Sequence, residues 1–257
     1  MADEYTPKVG FMIIGVQKGG TSALAHYLSQ HPAIGMSSIK ENHIFDAPEY
    51  SSDWSVEEID AHYLPAFSHC QNAAIWGEAT PIYLFLPEIA QELQRYNPNL
   101  KLIVLLRDRV ERAISHYYME KNRGAEAKPL WLALLSEPLR LGRCKDQRSL
   151  ESPMRVHAYR RRGLYSLQLQ NLYRFFPKEN VLIIASEDLR HHHDSVLTRV
   201  FEFLGVRQNV QIDAEPVFEG SGSESKHRFS AALLRLSYLV ERRRFRQCHR
   251  LPEHNLR

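Results

Sequence analysis

The stretch FMIIGVQKGGTS, residues 11–22, decides the fold of this chain. A short apolar run leads into a Gly-rich turn, and hydroxyl residues suited to a helix start come next. Glycines let the backbone approach an anion closely, and the N–H groups of a first helical turn point at it with the positive end of the helix dipole. The stretch therefore predicts a buried strand, a phosphate-binding loop and a helix.

The position of the lysine in this loop narrows the range of ligands that the loop could bind. A loop that binds a nucleoside triphosphate has the pattern Gly-x-x-x-x-Gly-Lys-Ser/Thr, in which Lys follows the second glycine. Gly15 and Gly20 have that separation, but Thr21 occupies the lysine position and Lys18 lies inside the turn. The loop is related to a kinase loop without having its full pattern.

Predicted strands and helices alternate along the chain. We predict strands at 9–15, 33–36, 73–76, 100–106 and 181–185, and helices at 21–29, from 55 onward, and at 87–96, 109–121, 164–176 and 195–204. This order predicts an α/β fold, a P-loop-like three-layer α/β/α arrangement with a mostly parallel central sheet. Ligands in such folds bind beyond the carboxyl ends of the strands, where the Gly-rich loop lies.

Length and composition exclude several classes of protein. A chain of 257 residues with 44% apolar and 25% charged residues is typical of one globular domain, so we expect a single domain over 1–257. Its three cysteines lie far apart, which predicts neither a disulfide framework nor a zinc site. No secretory signal and no apolar run of roughly 18 residues is present. We expect a cytoplasmic protein without a membrane partner.

Positive charge is concentrated near the C-terminus. Residues 226–257 hold nine Lys and Arg against two Glu, a net charge of +7 in a chain whose total is +3. The apolar pattern before the arginines predicts a basic amphipathic helix over about 229–247 packed on the domain. A solvated basic end, attraction of an anionic substrate and steering of an anionic cofactor are the alternatives. No motif for nucleic-acid binding accompanies the charge, so no nucleic-acid partner is expected.

Further motifs follow the first in order along the chain. They are KENHIFD at 40–46, WGEATPIY at 76–83, LIVLLRDRVERAISHYY at 102–118, RGLY at 162–165 and ESKHR at 224–228. Together with GVQKGGTSAL at 15–24, they resemble the sulfotransferases that use 3′-phosphoadenosine-5′-phosphosulfate (PAPS), particularly the branch with the heparan sulfate and prokaryotic enzymes. The resemblance implies PAPS as the donor, PAP as the product, and no metal.

The resemblance also assigns residues to the donor. Lys18 would stabilise charge on the leaving oxygen, because a fixed cation helps most where charge develops. The 5′-phosphate would be held by Gly19, Gly20, Thr21 and Ser22. Arg107 and Ser115 match the 3′-phosphate site, since a guanidinium fork and a hydroxyl suit phosphate.

Residues further along the chain complete the implied donor site. Tyr165 would line the cofactor, or belong simply to the core. The loop over the phosphates would be formed by Lys226, His227 and Arg228, with His227 standing where the family has glycine.

On the acceptor side, KENHIFD resembles the segment that carries the general base. A hydroxyl is a poor nucleophile until a base takes its proton, and either Glu41 or His43 could do so. In an extended segment both side chains would share a face. The resemblance matches Glu41 to the family's catalytic glutamate, so we place Glu41 first and His43 second. Glu78 would contact the acceptor, pair with Lys18 or be buried in an ion pair. Ala79 replaces the lysine of the glycan-sulfating members, which disfavours a heparan-like acceptor.

These motifs predict sulfuryl transfer from PAPS to a hydroxyl, less readily an amine, of a small metabolite or natural product. Glycan sulfation, a small-molecule kinase and a non-catalytic module that binds PAPS or an anionic polymer are the alternatives. The run of histidines at 191–193 cannot turn all its rings toward one ion, so no metal site is expected there.

Overall fold

In the computed structural model the described residues are 8–70, 72–144, 148–213 and 227–248, and they form five strands and eleven α-helices. The strands are β1 (Val9–Gly15), β2 (Ile34–Met36), β3 (Ile75–Ala79), β4 (Lys101–Leu106) and β5 (Val181–Ala185). The helices are α1 (Thr21–Ser29), α2 (Val56–Phe67), α3 (Ile89–Tyr96), α4 (Arg109–Asn122), α5 (Leu130–Gly142), α6 (Pro153–Val156), α7 (Tyr165–Leu172), α8 (Ser186–His191), α9 (His193–Leu204), α10 (Arg228–Ser237) and α11 (Leu239–Cys248).

The five strands form one parallel sheet in the order β2-β3-β1-β4-β5. β1 lies at its centre, between β3 and β4. This confirms the predicted α/β fold with a parallel sheet. Because all strands run the same way, their carboxyl ends meet at one edge, and the segments that follow β1, β2, β3 and β4 are neighbours there.

The sheet is covered on both faces. Phe11 and Ile13 of β1 pack with α1 and α9 on one side, whereas Met12 and Ile14 pack with α2, α3 and α7 on the other. All four side chains are fully buried. Burial on both faces removes the need for polar alternation, which explains why β1, β4 and β5 are almost entirely apolar.

The predicted bounds of β1, α1 and β5 are confirmed, and so is the helix start at Ser55. Ser55 and Glu58 form a reciprocal capping box before α2. The third strand differs: it covers Ile75–Ala79 rather than 73–76, because its pairing with β1 runs from Trp76 to Ala79. Glu78 therefore lies within a strand at the sheet edge that carries the loops.

The charged stretch 142–162 shows no clear periodicity, which predicts an excursion over the surface, but part of it is buried in the structure. Met154, Tyr159 and Arg162 are buried, together with Arg155. The two arginines are buried because polar groups bind them: Arg155 pairs with Asp46, and Arg162 donates to the carbonyls of Met154 and Arg155. The preceding helix α5 was not predicted at all.

The C-terminal segment forms two helices, where the apolar pattern predicted one. Tyr238 separates α10 from α11, and its buried hydroxyl donates to the carbonyl of Arg160 at 2.9 Å. Phe245 and Glu241 of α11 are buried, and Glu241 accepts a hydrogen bond from the N–H of Ser166. Within the described parts of the chain, no helix is both long and apolar enough to cross a lipid bilayer.

Candidate active site

The loop that follows β1 is a tight turn held by backbone hydrogen bonds. The N–H of Val16 donates to the carbonyl of Leu105 at 2.9 Å, and the N–H of Gly19 donates to the carbonyl of Val16 at 2.8 Å. Lys18 has φ 69° and Gly20 has φ 96°, both in the left-handed region. A left-handed lysine is uncommon, and it turns the chain sharply from the sheet into α1.

Gly19 is required by its surroundings. A Cβ atom at this position would lie 2.8 Å from the carbonyl oxygens of both Leu105 and Val16. These are backbone atoms of the sheet and the turn, so they cannot move aside as a flexible side chain would. The carbonyl of Gly19 also accepts a hydrogen bond from Ser186. The loop is thus a cradle with no room for a side chain at its base.

The start of α1 is suited to an anion. Gly20 caps the helix without a side-chain hydrogen bond, and no acidic residue lies in the first turn. The first N–H groups of a helix have no carbonyl partner within it, and the helix dipole adds positive potential there. Thr21 and Ser22 place hydroxyl groups beside these N–H groups. The arrangement fits a phosphate or sulfate group.

The ammonium group of Lys18 lies in a strongly positive environment. Its pKa is lowered from 10.5, first by partial burial and then by the nearby cations Arg107, Lys40 and Arg123. Glu120 opposes this effect only in part. Clustered like charges destabilise one another when no counter-ion is present, so an anion bound at this loop would be favoured.

Arg107 follows β4 directly and reaches the loop. Its guanidinium donates to the carbonyl of Lys18 at 3.3 Å and pairs with Glu111 at 3.1 Å. The backbone of Arg107 is held in turn by Tyr165, whose hydroxyl donates to the Arg107 carbonyl at 2.8 Å. Tyr165 is fully buried. Its visible role is to support the segment that carries Arg107.

One face of α4 continues this surface. Glu111, Ser115 and Tyr118 are spaced by three or four residues, so they lie on the same side of the helix. Ser115 is buried, and Tyr118 is hydrogen-bonded to His227. The start of α10, which Arg228 opens, is therefore brought to α4. Lys226 lies outside the described residues.

A second cluster lies after β2. The Nε2 atom of His43 is 3.1 Å from a carboxylate oxygen of Glu41, and its Nδ1 atom is 2.9 Å from Asp46. Asp46 is fully buried and pairs with Arg155 at 2.6 Å. The segment is not extended as predicted, because His43 has φ 53°. The two candidate bases still meet, since the chain turns at His43.

Glu78 supports this second cluster by accepting hydrogen bonds from Thr80 and Asn42. Thr80 donates to its carboxylate at 2.6 Å and the side chain of Asn42 does so at 3.4 Å, while the N–H of Asn42 donates to Thr80 at 3.1 Å. Glu78 is fully buried, and burial raises its pKa to about 7. Among the described residues it has no ion pair with Lys18. Its position favours a supporting role over contact with an acceptor.

A cleft of about 260 Å³ joins the two clusters. Thr21 and Ser22 of the loop side and Glu41 of the second cluster all line it, as does Ala79 at the end of β3. The anion-binding helix start and the candidate base therefore open into one space. Along the chain, Thr21 and Ser22 are about twenty residues from Glu41 and about sixty residues from Ala79.

A family model of the sulfotransferase domain matches residues 9–221, which include the loop, both clusters and the whole sheet. The chain belongs to the sulfotransferase family. This membership decides against the small-molecule kinase that the Gly-rich loop alone left open.

Two curated sulfotransferases show how far the similarity extends. Heparan sulfate glucosamine 3-O-sulfotransferase 6 of Mus musculus is 31% identical over 202 residues, covering 77% of this chain and 53% of the relative. The membrane-associated sulfotransferase kil1 of Dictyostelium discoideum is 39% identical over 108 residues, covering 42% of this chain and 22% of the relative. The chain spans about half or less of the length of these relatives.

Among solved structures, a sulfotransferase from Alicyclobacillus acidocaldarius matches with a TM-score of 0.68 and 28% identity. The match covers 91% of this chain and 96% of that one. The sulfotransferase domain of the curacin biosynthetic pathway matches with a TM-score of 0.53 and 15% identity, over 96% of this chain and 99% of the other. The second likeness concerns the fold alone.

Sulfotransferases of this family use PAPS as the donor. The cradle at Gly19 and the positive field at Lys18 fit its 5′-phosphosulfate, and Arg107 with the Ser115 face of α4 fits a second phosphate. Within the described ranges, no group of His, Cys, Asp and Glu side chains is placed to hold a metal ion.

In this sulfotransferase site, the protonation of His43 distinguishes it from Glu41 as a candidate base. Burial opposes a charge on His43, but the hydrogen bonds to Asp46 and Glu41 outweigh burial and raise its pKa to about 9. At neutral pH His43 is an imidazolium, which donates through both nitrogens and cannot accept a proton. Glu41 is about one third exposed, and among the described residues its second carboxylate oxygen has no hydrogen-bond partner. The geometry favours Glu41.

Two arginines of the site were missed in the sequence. Arg155 fixes Asp46, and Arg162 donates to the side chain of Gln17 in the phosphate loop at 2.6 Å. Both lie in the stretch that the sequence placed on the surface. Arg155 has no local signal beyond the density of arginine, which is equally typical of a solvated segment, whereas Arg162 opens the RGLY motif but received no role from it.

Proposed function

We propose that this chain transfers a sulfuryl group from PAPS to a hydroxyl group of an acceptor, with Glu41 as general base and Lys18 as the cation at the leaving oxygen. The observation that carries the proposal is the shared cleft: the N-terminal turn of α1 and the carboxylate of Glu41 line the same space. The base and the anion site of an in-line transfer must face each other across one cavity.

The residues around the loop are suited to hold the donor. Gly19, Gly20, Thr21 and Ser22 would hold the 5′-phosphate, and Arg107, Ser115, His227 and Arg228, with Lys226, would hold the 3′-phosphate. When bound, PAPS supplies the sulfuryl group, whose bond to the phosphate oxygen breaks as a bond from sulfur to the acceptor oxygen forms. Lys18 would stabilise the negative charge left on that phosphate oxygen.

On the acceptor side, Glu41 would accept the proton of the attacking hydroxyl. The imidazolium of His43 holds the carboxylate of Glu41 in place, and Asp46 with Arg155 holds the imidazolium. His43 is then a positioning residue, which orients the base rather than acting as one. Substitution of Glu41 or His43 should leave the donor site intact, because neither residue lies on the phosphate loop or on α4.

The test combines binding and turnover. Stabilisation of the protein against heat by PAP, and not by ATP with magnesium, would support the donor site. Incubation with PAPS and hydroxylated metabolites should yield products that have gained the mass of one sulfuryl group. The double variant Glu41→Gln, His43→Ala should abolish this gain while PAP still stabilises the protein. An unchanged transfer rate in the double variant would instead indicate the non-catalytic PAPS-binding module.

Two features bear on the acceptor. The names of the curated relatives favour a glycan, since several are heparan sulfate 3-O-sulfotransferases. Ala79, where the glycan-sulfating members have lysine, favours a small metabolite or natural product. We place the small acceptor first. A cytoplasmic location stays a prediction from the sequence.

A further inference from the structure

The cleft beside α1 has a wall built from one helix face. Ser22, Ala25, His26 and Ser29 recur at intervals of three and four residues, so they form a single stripe along α1. This stripe runs from the helix start to its last turn. The opposite wall is the segment from Met36 to Glu41, and Ala79 closes the cleft at the sheet edge.

The side chains that line these walls are mostly uncharged. Small or apolar side chains, Ala25, Met36, Ile39 and Ala79, line much of the space, and Ser22 and Ser29 add short hydroxyl groups. Of the described lining residues, two carry a formal charge, Lys40 and Glu41, which are adjacent in sequence at one end. A polyanionic ligand would need cations along the whole cleft to offset its lost hydration.

Most of the positive charges around the phosphate loop lie outside the cleft lining. Arg107, Lys40 and Arg123 lower the pKa of Lys18, and among these four cations Lys40 alone lines the cleft. The donor site and the cleft meet at Thr21 and Ser22, which line the cleft beside the loop. An anionic donor would therefore lie among the cations of the loop, whereas the cleft beyond Thr21 and Ser22 is largely uncharged.

The volume of the cleft also limits the size of the ligand. The volume of about 260 Å³ is slightly below the range of roughly 300 to 1,000 Å³ common for sites that hold drug-sized molecules. A compound with one or two fused rings, or a short aliphatic chain, fits such a space. A sugar chain could place no more than a fraction of its length there.

We infer that this cleft binds the acceptor, and that the acceptor is a compact, uncharged alcohol or phenol whose apolar body lies against Ala25, Met36 and Ala79. Its hydroxyl group would lie at the Glu41 end, beside Thr21 and Ser22. This inference rests on the proposed sulfuryl transfer and adds the class of acceptor to it.

The test uses substitutions that narrow the cleft and leave the phosphate loop unchanged. Ala25→Leu replaces a methyl group by an isobutyl group on the helix wall, and Ala232→Leu makes the same change on the exposed face of α10 as a control. Transfer from PAPS is measured to 2-naphthol and to N-sulfated heparosan, and PAP affinity is measured for every variant. Ser29→Leu, at the other end of the stripe, provides a second variant should Ala25→Leu fold poorly.

We expect the unmodified protein to sulfate 2-naphthol in preference to the polysaccharide. Ala25→Leu should lower kcat/KM for 2-naphthol about tenfold or more, mainly through KM, while PAP affinity and the Ala232→Leu control stay unchanged. Transfer to the polysaccharide without transfer to 2-naphthol, or an unchanged KM in both Ala25→Leu and Ser29→Leu, overturns the assigned acceptor class. Failure to bind PAP overturns the proposed function itself, and the PAP measurement distinguishes the two failures.

Discussion

The Nε2 atom of His43 lies 3.1 Å from a carboxylate oxygen of Glu41, at the end of a chain of charges that starts in the protein interior. Arg155 and Asp46 are the buried members of this chain, and Asp46 binds the other nitrogen of the same imidazole. The side chain of Glu41, the proposed base, is thus oriented by His43, which two buried residues hold in turn. A base held in this way loses little rotational freedom when the acceptor arrives.

The raised pKa of His43 predicts a pH dependence of stability. The folded pKa of about 9 lies above the value of 6.5 for a free histidine. Stability from this group is complete below pH 6.5 and is lost as pH rises through about 9. The difference in free energy of unfolding between the unmodified protein and His43→Ala, measured by urea denaturation at several pH values, should shrink across that window. His69→Ala, at an exposed position, is the control, and a difference that stays constant with pH contradicts the prediction.

Lys18→Ala should separate chemistry from binding. If the ammonium acts on the leaving oxygen, kcat should fall by about 10²- to 10³-fold, the loss typical for a stabilising group aimed at developing charge. The affinity for PAP should fall much less, because backbone N–H groups and Arg107 still hold the phosphates. Steady-state kinetics and calorimetric titration with PAP measure the two quantities. Lys121→Ala on the exposed part of α4 is a matched control, and equal losses in rate and affinity would refute the role of Lys18.

Arg155→Leu should destabilise the fold strongly. The change removes the buried guanidinium from the carboxylate of Asp46 and leaves it with the partly exposed imidazolium of His43, and breaking a buried pair costs about 3 to 5 kcal/mol. The exposed pair of Arg190 and Glu187 supplies the comparison, since Arg190→Ala should change stability by less than about 1 kcal/mol. Urea denaturation gives both values. Similar small losses in the two variants would show that Asp46 is satisfied without Arg155.

Gly19→Ala should damage the donor site through the backbone. The added Cβ atom would meet two carbonyl oxygens at 2.8 Å, so the loop must move. A displacement of about 1 Å at a catalytic group can lower the rate about 10²-fold, and PAP affinity should fall as well. Gly142→Ala is the matched control, because no atom lies within 4 Å of its added Cβ. Unaltered PAP affinity in Gly19→Ala would show that the cradle tolerates a side chain.

Local signals were enough to predict the elements that carry the donor site. The run from β1 through the loop to α1 was located because apolar continuity, paired glycines and a helix start occur together within a few residues. β4 and α4 were predicted for similar reasons. The predicted bounds of β3 are wrong, since Gly77 and Glu78 are not strand-like and are drawn into the sheet by pairing with β1 and, for Gly77, also with β2.

The segments that could not be predicted depend on distant partners. The stretch that holds Arg155 and Arg162 looks solvated, and its burial becomes favourable because Asp46 and Gln17, together with nearby backbone carbonyls, bind the two guanidinium groups. Tyr165, which the sequence assigns either to the cofactor or to the core, is fully buried, and its hydroxyl donates to the carbonyl of Arg107. Glu78 was a candidate for the acceptor and lies fully buried below Asn42.

The α/β fold, the phosphate loop and the sulfotransferase motifs could be predicted from the sequence, because they follow from backbone conformation and apolar patterning over short distances. Only the folded chain shows that Glu41 contacts the imidazole of His43 and lines one cleft with Thr21 and Ser22. These contacts depend on distant residues, since a buried charge is stable only beside its partner, and Asp46 and Arg155 are 109 residues apart in the chain.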